Sequence, residues 1–180
     1  MKRMFFVVGA LLFLTSVTAH GAGSTPDLKT AKAEIINSQG TKIGIALLED
    51  VPGGVKISLK VSNLSPGMHA FHIHAVGKAE PPDFKSSGPH FNPEGKKHGH
   101  MNPAGAHAGD LSNIEVKANG TAEVEIVVKG VTLSLGKDSL LGPGGTSLVI
   151  HAKADDEMTD PAGNAGNRIA AGVIVVAATR

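Results

Sequence analysis

Histidine is the residue type in this 180-residue chain whose number and spacing most suggest chemistry, with nine copies. His72 and His74 lie two positions apart in the strand-like segment Phe71–His74. Alternate side chains of a strand point to the same face, so these two imidazoles can bind one ion together. His-x-His alone is a weak pattern, because two neighbouring surface histidines are more common than a metal site.

Further candidate ligands follow in residues 75–110, a long segment with no sustained alternation of polar and apolar residues. They are His90, His98, His100, His107 and Asp110. His151 stands apart in the apolar segment 148–152, where a histidine is more often a hydrogen-bonded core residue than a ligand. Several imidazoles with one carboxylate favour zinc, copper, iron or nickel over calcium or magnesium. The residues therefore predict a His-rich metal site and leave the metal open.

Composition excludes several other kinds of chemistry. The chain has no cysteine, so disulfides, cysteine–zinc sites and thiol catalysis are impossible. Six Phe are its only aromatic residues and its net charge is +1, which argues against nucleic-acid binding. With 41% hydrophobic and 18% charged residues the chain is globular rather than disordered.

The first 21 residues have the order of a secretory signal peptide. Lys2 and Arg3 precede an apolar run, and small residues follow. Cleavage is expected after Ala19 or Gly21, and the run is too short for a transmembrane span. A retained N-terminal anchor is the alternative. Residues 22–30 are expected to be a flexible linker, and export would place the protein in a periplasm, in the cell envelope or outside the cell.

Residues 31–180 are predicted to form one domain built from strands. Strict alternation in 55–62 puts Val55, Ile57, Leu59 and Val61 on one face. Other strand candidates lie at 43–47, 114–118, 121–128, 131–135, 147–152 and 169–178, with a type I′ hairpin expected at Asn119–Gly120. No long stretch has helical periodicity, and 153–168 is a second polar loop. About eight short strands predict an antiparallel sandwich or barrel.

Six short motifs give the chain a more specific resemblance. They are GMHAFHIH at 67–74, GPHFNP at 88–93, KHG at 97–99, HAGDL at 107–111, HAKADD at 151–156 and GNAGNR at 163–168. In order and spacing they resemble the copper/zinc superoxide dismutases over essentially residues 31–180. The resemblance implies an all-β, eight-stranded antiparallel Greek-key β-sandwich or barrel, immunoglobulin-like, with long metal-site and electrostatic loops.

The resemblance also implies a role for each matching residue. One copper would be bound by His72, His74, His90 and His151, and one zinc by His90, His98, His107 and Asp110. His90 would bridge both metals and deliver a proton to the product, and Arg168 would guide the anionic substrate. Asp155 would join His72 to His98, and His69 would be structural, bonding to backbone.

Two departures from the family pattern bear on stability and on zinc. The positions that match the family's disulfide are Phe84 and Ala171, so another contact must hold the 75–110 loop; zinc and a buried Phe84 are the candidates. His100 follows His98 with one residue between them. It is either a spare surface imidazole, which we expect, or a competing zinc ligand.

The expected function is dismutation of superoxide to dioxygen and hydrogen peroxide, protecting the exported compartment. Superoxide is then the partner, with no nucleic acid and no integral membrane span, and the resemblance is compatible with a homodimer and a copper-delivery protein. A metal-buffering relative without turnover would lack a copper ligand or Arg168, and neither is missing. A structural cell-envelope protein would hold no copper.

Overall fold

The computed structural model describes Met1 and residues 29–177. Apart from Met1, the predicted signal peptide, its cleavage sites and most of the predicted linker lie outside the described residues. Thr30, which was assigned to the linker, begins the first strand. The strands are β1 (Thr30–Asn37), β2 (Lys42–Val51), β3 (Gly54–Val61), β4 (Gly67–His69), β5 (Phe71–His74), β6 (Ile114–Val116), β7 (Ala122–Lys129), β8 (Ser147–His151), β9 (Arg168–Val173) and β10 (Val175–Val176).

Most strands belong to one eight-stranded antiparallel sheet. Its order is β5-β8-β9-β1-β2-β3-β7, with β10 beside β1, and β4 pairs with β6 in a separate two-stranded sheet. β5 and β8 lie at one end of the sheet, and β3 and β7 lie at the other. The chain therefore crosses from one end to the other between β3 and β5, between β5 and β7, and between β7 and β8. The expected all-β Greek-key class is confirmed.

The core lies on the inner face of this curled sheet. Alternation predicted the inward positions of β3 correctly, because Val55, Ile57, Leu59 and Val61 are all buried in the main cluster. In β5, Phe71 and Ile73 join the same cluster. Their neighbours His72 and His74 consequently point to the outer face, where they are buried by the loops that cover this end of the sheet.

Three local expectations were wrong or incomplete. Residues 131–135 form no named strand: Val131 and Leu133 are buried, but Asp50 Oδ1 accepts the Leu133 N–H at 2.8 Å. Asn119–Gly120 does form a turn, yet β6 and β7 on either side pair with different strands. Gly120 has a positive φ of 78° whereas Asn119 does not, so the turn is not type I′. β1 was not identified, because its inward residues include two alanines, which signal a strand weakly.

Two long irregular segments cover the outer face of β5, β8 and β9. Residues 75–110 contain only the short 3-10 helix Lys85–Ser87. The polar loop follows β8 and ends where β9 begins at Arg168. Within the described residues, none of the helices has the length and apolar character needed to cross a membrane.

Candidate metal centre

The predicted ligands come together in two adjoining buried clusters. One consists of His72, His74, His90 and His151, and the other of His90, His98, His107 and Asp110. Within each cluster the ligand atoms lie within 4.8 Å of one another. β5 and β8 supply three imidazoles of the first cluster, and the 75–110 loop supplies the rest. His90 is the member that the two clusters share.

The four-imidazole cluster presents bare ring nitrogens to its centre. Within the described part of the chain, four buried side-chain nitrogens have no hydrogen-bond partner: His72 Nδ1, His74 Nε2, His90 Nε2 and His151 Nε2. A buried polar atom without a partner is costly, and native proteins rarely leave one. Four such atoms from one cluster fit a shared cation.

The opposite nitrogens of three of these rings are fixed by acceptors. His72 Nε2 donates to Asp155 Oδ2 at 2.7 Å, and His74 Nδ1 donates to the Gly88 carbonyl at 2.8 Å. His151 Nδ1 donates to the Gly166 carbonyl at 3.2 Å. Because a neutral imidazole has one N–H, each of these bonds leaves a lone pair on the inward nitrogen. The donor set is therefore oriented for a metal ion.

Burial keeps these imidazoles neutral. It lowers the pKa of His72 to about 4, although the hydrogen bond to Asp155 opposes the shift. Burial likewise lowers the pKa of His151 to about 3 and that of His74 to about 2. A neutral imidazole is the form that binds metal, so at neutral pH these three histidines are in the protonation state that binding requires.

The second cluster is built around one carboxylate oxygen. Asp110 Oδ1 lies 2.8 Å from His90 Nδ1, 3.0 Å from His98 Nδ1 and 3.2 Å from His107 Nδ1. The Nδ1 atoms of His90 and His107 are 3.4 Å apart. Tetrahedral zinc with bonds of about 2.0–2.1 Å has ligand–ligand distances of about 3.3 Å. The four atoms therefore have the spacing of a closed zinc site.

Backbone donors orient the carboxylate of Asp110. Its second oxygen, Oδ2, accepts the backbone N–H groups of Gly99 at 2.8 Å and His107 at 2.9 Å. Burial alone would raise the pKa of this carboxyl, but the bonds from His90 and Gly99 and the neighbouring imidazoles hold the pKa far below its usual value. Asp110 is thus ionised and fixed in place.

Asp155 connects the two clusters through the outer ring nitrogens of His72 and His98. Its Oδ2 accepts from His72 Nε2, and its Oδ1 accepts from His98 Nε2 at 3.0 Å. Burial lowers the pKa of His98, but the bond to Asp155 and the charges of Asp110 and Asp155 raise it by more, so that the pKa lies above its usual value. Glycine is required at position 163, because a Cβ there would come within 1.7 Å of Asp155 Oδ1. Asp155 thus contacts both His72 and His98, the two residues that the family resemblance implied it would join.

Arg168 lies half-buried at the start of β9, opposite His151 in the strand register. Its guanidinium donates to the carbonyls of Phe84 and Gly88 at 2.9 and 2.8 Å. Gly88 also accepts from His74, so one carbonyl separates Arg168 from the four-imidazole cluster. Burial lowers the pKa of Arg168, but a guanidinium remains charged in proteins.

Two further histidines lie outside both clusters. The ring of His69 contacts backbone carbonyls through both nitrogens, at 2.7 Å to His151 and 2.8 Å to Ser65, which is the kind of contact that the family resemblance implied. His100 is exposed, and its Nε2 donates to the carbonyl oxygen of Asp110 at 3.1 Å. His100 therefore contacts the backbone of a candidate ligand and not the cluster itself.

Sequence reasoning missed two residues that support the clusters. The Asn113 side chain donates to the Asp155 carbonyl at 2.9 Å and accepts the Asp155 N–H at 2.7 Å. Asp160 Oδ1 accepts the backbone N–H of His98 at 2.9 Å. A lone Asn or Asp in a loop has no spacing pattern, so nothing in the sequence distinguishes these two from solvated side chains.

The fold and the two clusters define a class: an antiparallel β-sandwich with two adjoining clusters that share His90 and could each hold a metal ion. A sequence model of the copper/zinc superoxide dismutase family (SODC) matches residues 42–174. The chain belongs to this family, as the motifs predicted, and is thereby an oxidoreductase whose cofactors are copper and zinc.

Known relatives agree with this placement. Superoxide dismutase [Cu-Zn] 1 of Aquifex aeolicus (strain VF5) is 53% identical over 150 residues, covering 82% of this chain and 88% of that protein. Superoxide dismutase [Cu-Zn] 2 of the same organism is 49% identical over 176 residues, 97% and 99% of the two chains. The crystal structure of a SOD-like protein from Bacillus subtilis aligns with a TM-score of 0.78 at 37% identity, covering 80% of this chain and 97% of that one.

Proposed function

We propose that the protein converts superoxide to dioxygen and hydrogen peroxide at copper held by His72, His74, His90 and His151. The observation that carries this proposal is the set of four inward ring nitrogens without hydrogen-bond partners. Copper bound there would supply one-electron redox chemistry, taking an electron from one superoxide and giving it to a second. Metal analysis combined with a superoxide-disappearance assay tests the proposal, and activity without bound copper would contradict it.

In this proposal His90 delivers one of the two protons that hydrogen peroxide requires, and solvent supplies the other. His90 Nε2 faces the four-imidazole cluster while its Nδ1 contacts Asp110. We assign His90 Nε2 as the atom that takes up a proton and passes it to the product. His72 and His74 keep their outer N–H groups on Asp155 and Gly88, so their orientation does not change during this transfer.

The second cluster serves stability and not substrate binding. Three imidazoles and Asp110 fill a tetrahedral site, which leaves no open position for a ligand. Zinc bound there would tie together four side chains of the 75–110 loop, and His98, by way of Asp155, would connect that loop to His72 of β5. Its role in this proposal is to hold His90 between the clusters.

Arg168 is proposed to attract and orient the superoxide anion. Its guanidinium is fixed by three acceptors close to His74, and steering by a positive charge can raise association rates about 10- to 1,000-fold. Arg168→Glu should therefore lower the catalytic rate several-fold or more and flatten or invert its decrease with ionic strength. Stopped-flow rates at several salt concentrations measure this.

The control for Arg168→Glu reverses an exposed charge elsewhere. Lys60 of β3 pairs with Glu123 on the surface, away from the clusters. Lys60→Glu therefore changes the net charge by the same amount as Arg168→Glu. We expect it to leave rate and salt response close to those of the parent. Equal rates and equal salt dependence for Arg168→Glu and the parent would show that Arg168 is not the guide.

His100 should not be a zinc ligand. Four other atoms already complete the site, and His100 Nε2 bonds to a carbonyl oxygen. His100→Ala should change zinc content and melting temperature little, whereas His98→Ala should lose the zinc. Zinc analysis after dialysis against a weak chelator measures both variants, and the reverse ranking would contradict the assignment.

Export of the protein is also part of the proposal, with protection of a periplasm, envelope or extracellular space as its purpose. Its support is the basic, apolar and small-residue order of the N-terminus. Mass spectrometry of the protein isolated from cell fractions should find the chain beginning after Ala19 or Gly21. An intact N-terminus in the cytosolic fraction would contradict export. A homodimer and a copper-delivery partner stay predictions.

A further inference from the structure

The guanidinium of Arg168 is held by one short segment of the 75–110 loop. Nη1 donates to the Phe84 carbonyl at 2.9 Å and to Ser87 Oγ at 3.0 Å, and Nη2 donates to the Gly88 carbonyl at 2.8 Å. All three acceptors lie in residues 84–88, which we term the arginine clamp. The position of the guanidinium therefore depends on where the arginine clamp lies.

Phe84 is the apolar side chain that attaches the arginine clamp to the protein. It is 0% exposed, whereas Pro81, Pro82, Asp83 and Lys85 around it are exposed. Its backbone adopts a left-handed conformation at φ 52°, which is uncommon for a bulky residue. Packing of the ring must offset the cost of that conformation, so the position of Phe84 is determined by its buried contacts.

The contacts of Phe84 form a small apolar cluster outside the main core. Val149 of β8 and Ala171 of β9 are its fully buried members, and they are register partners in the sheet. Ile36 and Ala79 pack at its edge. Val149 is two residues from His151, and Ala171 is three residues from Arg168. Phe84 thus docks the arginine clamp on the two strands that carry a candidate copper ligand and the arginine.

We infer that Phe84 is a positioning residue for Arg168: its burial against Val149 and Ala171 sets the carbonyl and hydroxyl acceptors that aim the guanidinium. The inference rests on the proposed role of Arg168 in guiding superoxide. Phe84 touches no reacting atom and acts through the backbone of the arginine clamp. The cluster contains no cysteine, so the Phe84 side chain is held there by aliphatic and aromatic packing and not by a disulfide.

The experiment compares Phe84→Ala, Phe84→Leu and the parent as metallated proteins with equal copper and zinc contents. Misplacing a catalytic group by about 1 Å can cost up to about 100-fold, and a partly released arginine should cost about 2- to 10-fold in rate. Azide affinity, followed by the copper absorption band, should weaken in Phe84→Ala by a similar factor. Phe84→Leu keeps an apolar side chain and should recover most of both quantities.

Two controls separate positioning from general destabilisation. Leu48→Ala removes a fully buried side chain from the main core on β2 and should leave rate and azide affinity near the parent's below its melting temperature. In an Arg168→Gln background, Phe84→Ala should have almost no further effect, as expected of residues that act through one group. If Phe84→Ala does not fold, Val149→Ala opens the same cluster and should show the same effects more weakly.

Nitrogen NMR of the Arg168 guanidinium in the reduced protein gives a readout independent of turnover. Its Nη groups should rotate slowly in the parent and faster in Phe84→Ala. The inference is overturned if rate and rotation are unchanged, if Leu48→Ala lowers the rate equally, or if the loss persists in Arg168→Gln. An unchanged rate and salt response in Arg168→Gln itself would instead refute the guiding role, while the rotation still tests positioning.

Discussion

Replacing His151 by alanine should abolish superoxide dismutation while leaving about one zinc per chain. The Nε2 atom of His151 belongs to the four-imidazole cluster alone, and His151 takes no part in the cluster around Asp110. Removing it takes away one of four copper donors without touching a zinc donor. Mutating mere outer partners of metal ligands costs about 10- to 100-fold, so losing a direct ligand should cost more.

Copper and zinc contents must be measured beside activity, because the two clusters share His90. A His90→Ala variant should lose copper and weaken zinc together, which distinguishes the bridging residue from His151. His100→Ala is the matched control, since it also exchanges a histidine for alanine but lies outside both clusters. A fully active His151→Ala protein would refute the assignment of the copper site.

The family motifs singled out the residues that the structure brings together in the two clusters, because metal ligation requires particular residue types at fixed places. The alternation in β3 also predicted which of its side chains face the core, and the two-residue spacing of His72 and His74 predicted that both lie on one face of β5. His151 shows the limit of residue-level reasoning: its apolar neighbours favoured a core histidine, and only the family motif indicated a ligand. In the structure it is buried in its strand and also contributes to the cluster.

Pairing between strands was harder to predict than burial. In residues 131–135, alternation correctly indicated that Val131 and Leu133 face the core. No neighbouring strand pairs along this segment within the described residues, since the side chain of Asp50 takes the Leu133 N–H instead. Alternation reports which side chains are buried, but a strand also needs a partner for its backbone. The supporting contacts of Asn113 and Asp160 could not be predicted either, because they form only where two loops that are far apart in the sequence meet.

Removing zinc should lower the stability of the protein by several kcal/mol and loosen part of the 75–110 loop. The chain has no cysteine, so no disulfide supports this loop. Ligand binding stabilises the folded state by about 4 kcal/mol at a thousandfold excess over the dissociation constant. Burial of the whole Phe84 side chain contributes about 1.5–3 kcal/mol to the free energy of unfolding. Zinc should therefore make the larger contribution.

The loop's own hydrogen bonds show where loosening should be found. Phe91 and Gly109 bond to one another and to Ile73 of β5 through backbone groups at 2.8–2.9 Å, and these bonds do not involve the ligand side chains. Between these two residues, the N–H groups of Gly99 and His107 donate to Asp110 Oδ2. These two amides should exchange rapidly without zinc, whereas Phe91 and Gly109 should stay comparatively protected.

Melting curves and amide exchange of the fully metallated, zinc-free and Phe84→Ala proteins measure these effects. The His151→Ala protein, which should keep zinc and lose copper, separates the stabilisation due to each metal. If zinc supports the loop as proposed, His151→Ala should keep the Gly99 and His107 amides protected, and Phe84→Ala should lower stability without exposing them. A zinc-free protein that melts like the metallated one, with both amides still protected, would mean that packing and backbone bonds alone hold the loop. Zinc would then be needed only to orient His90.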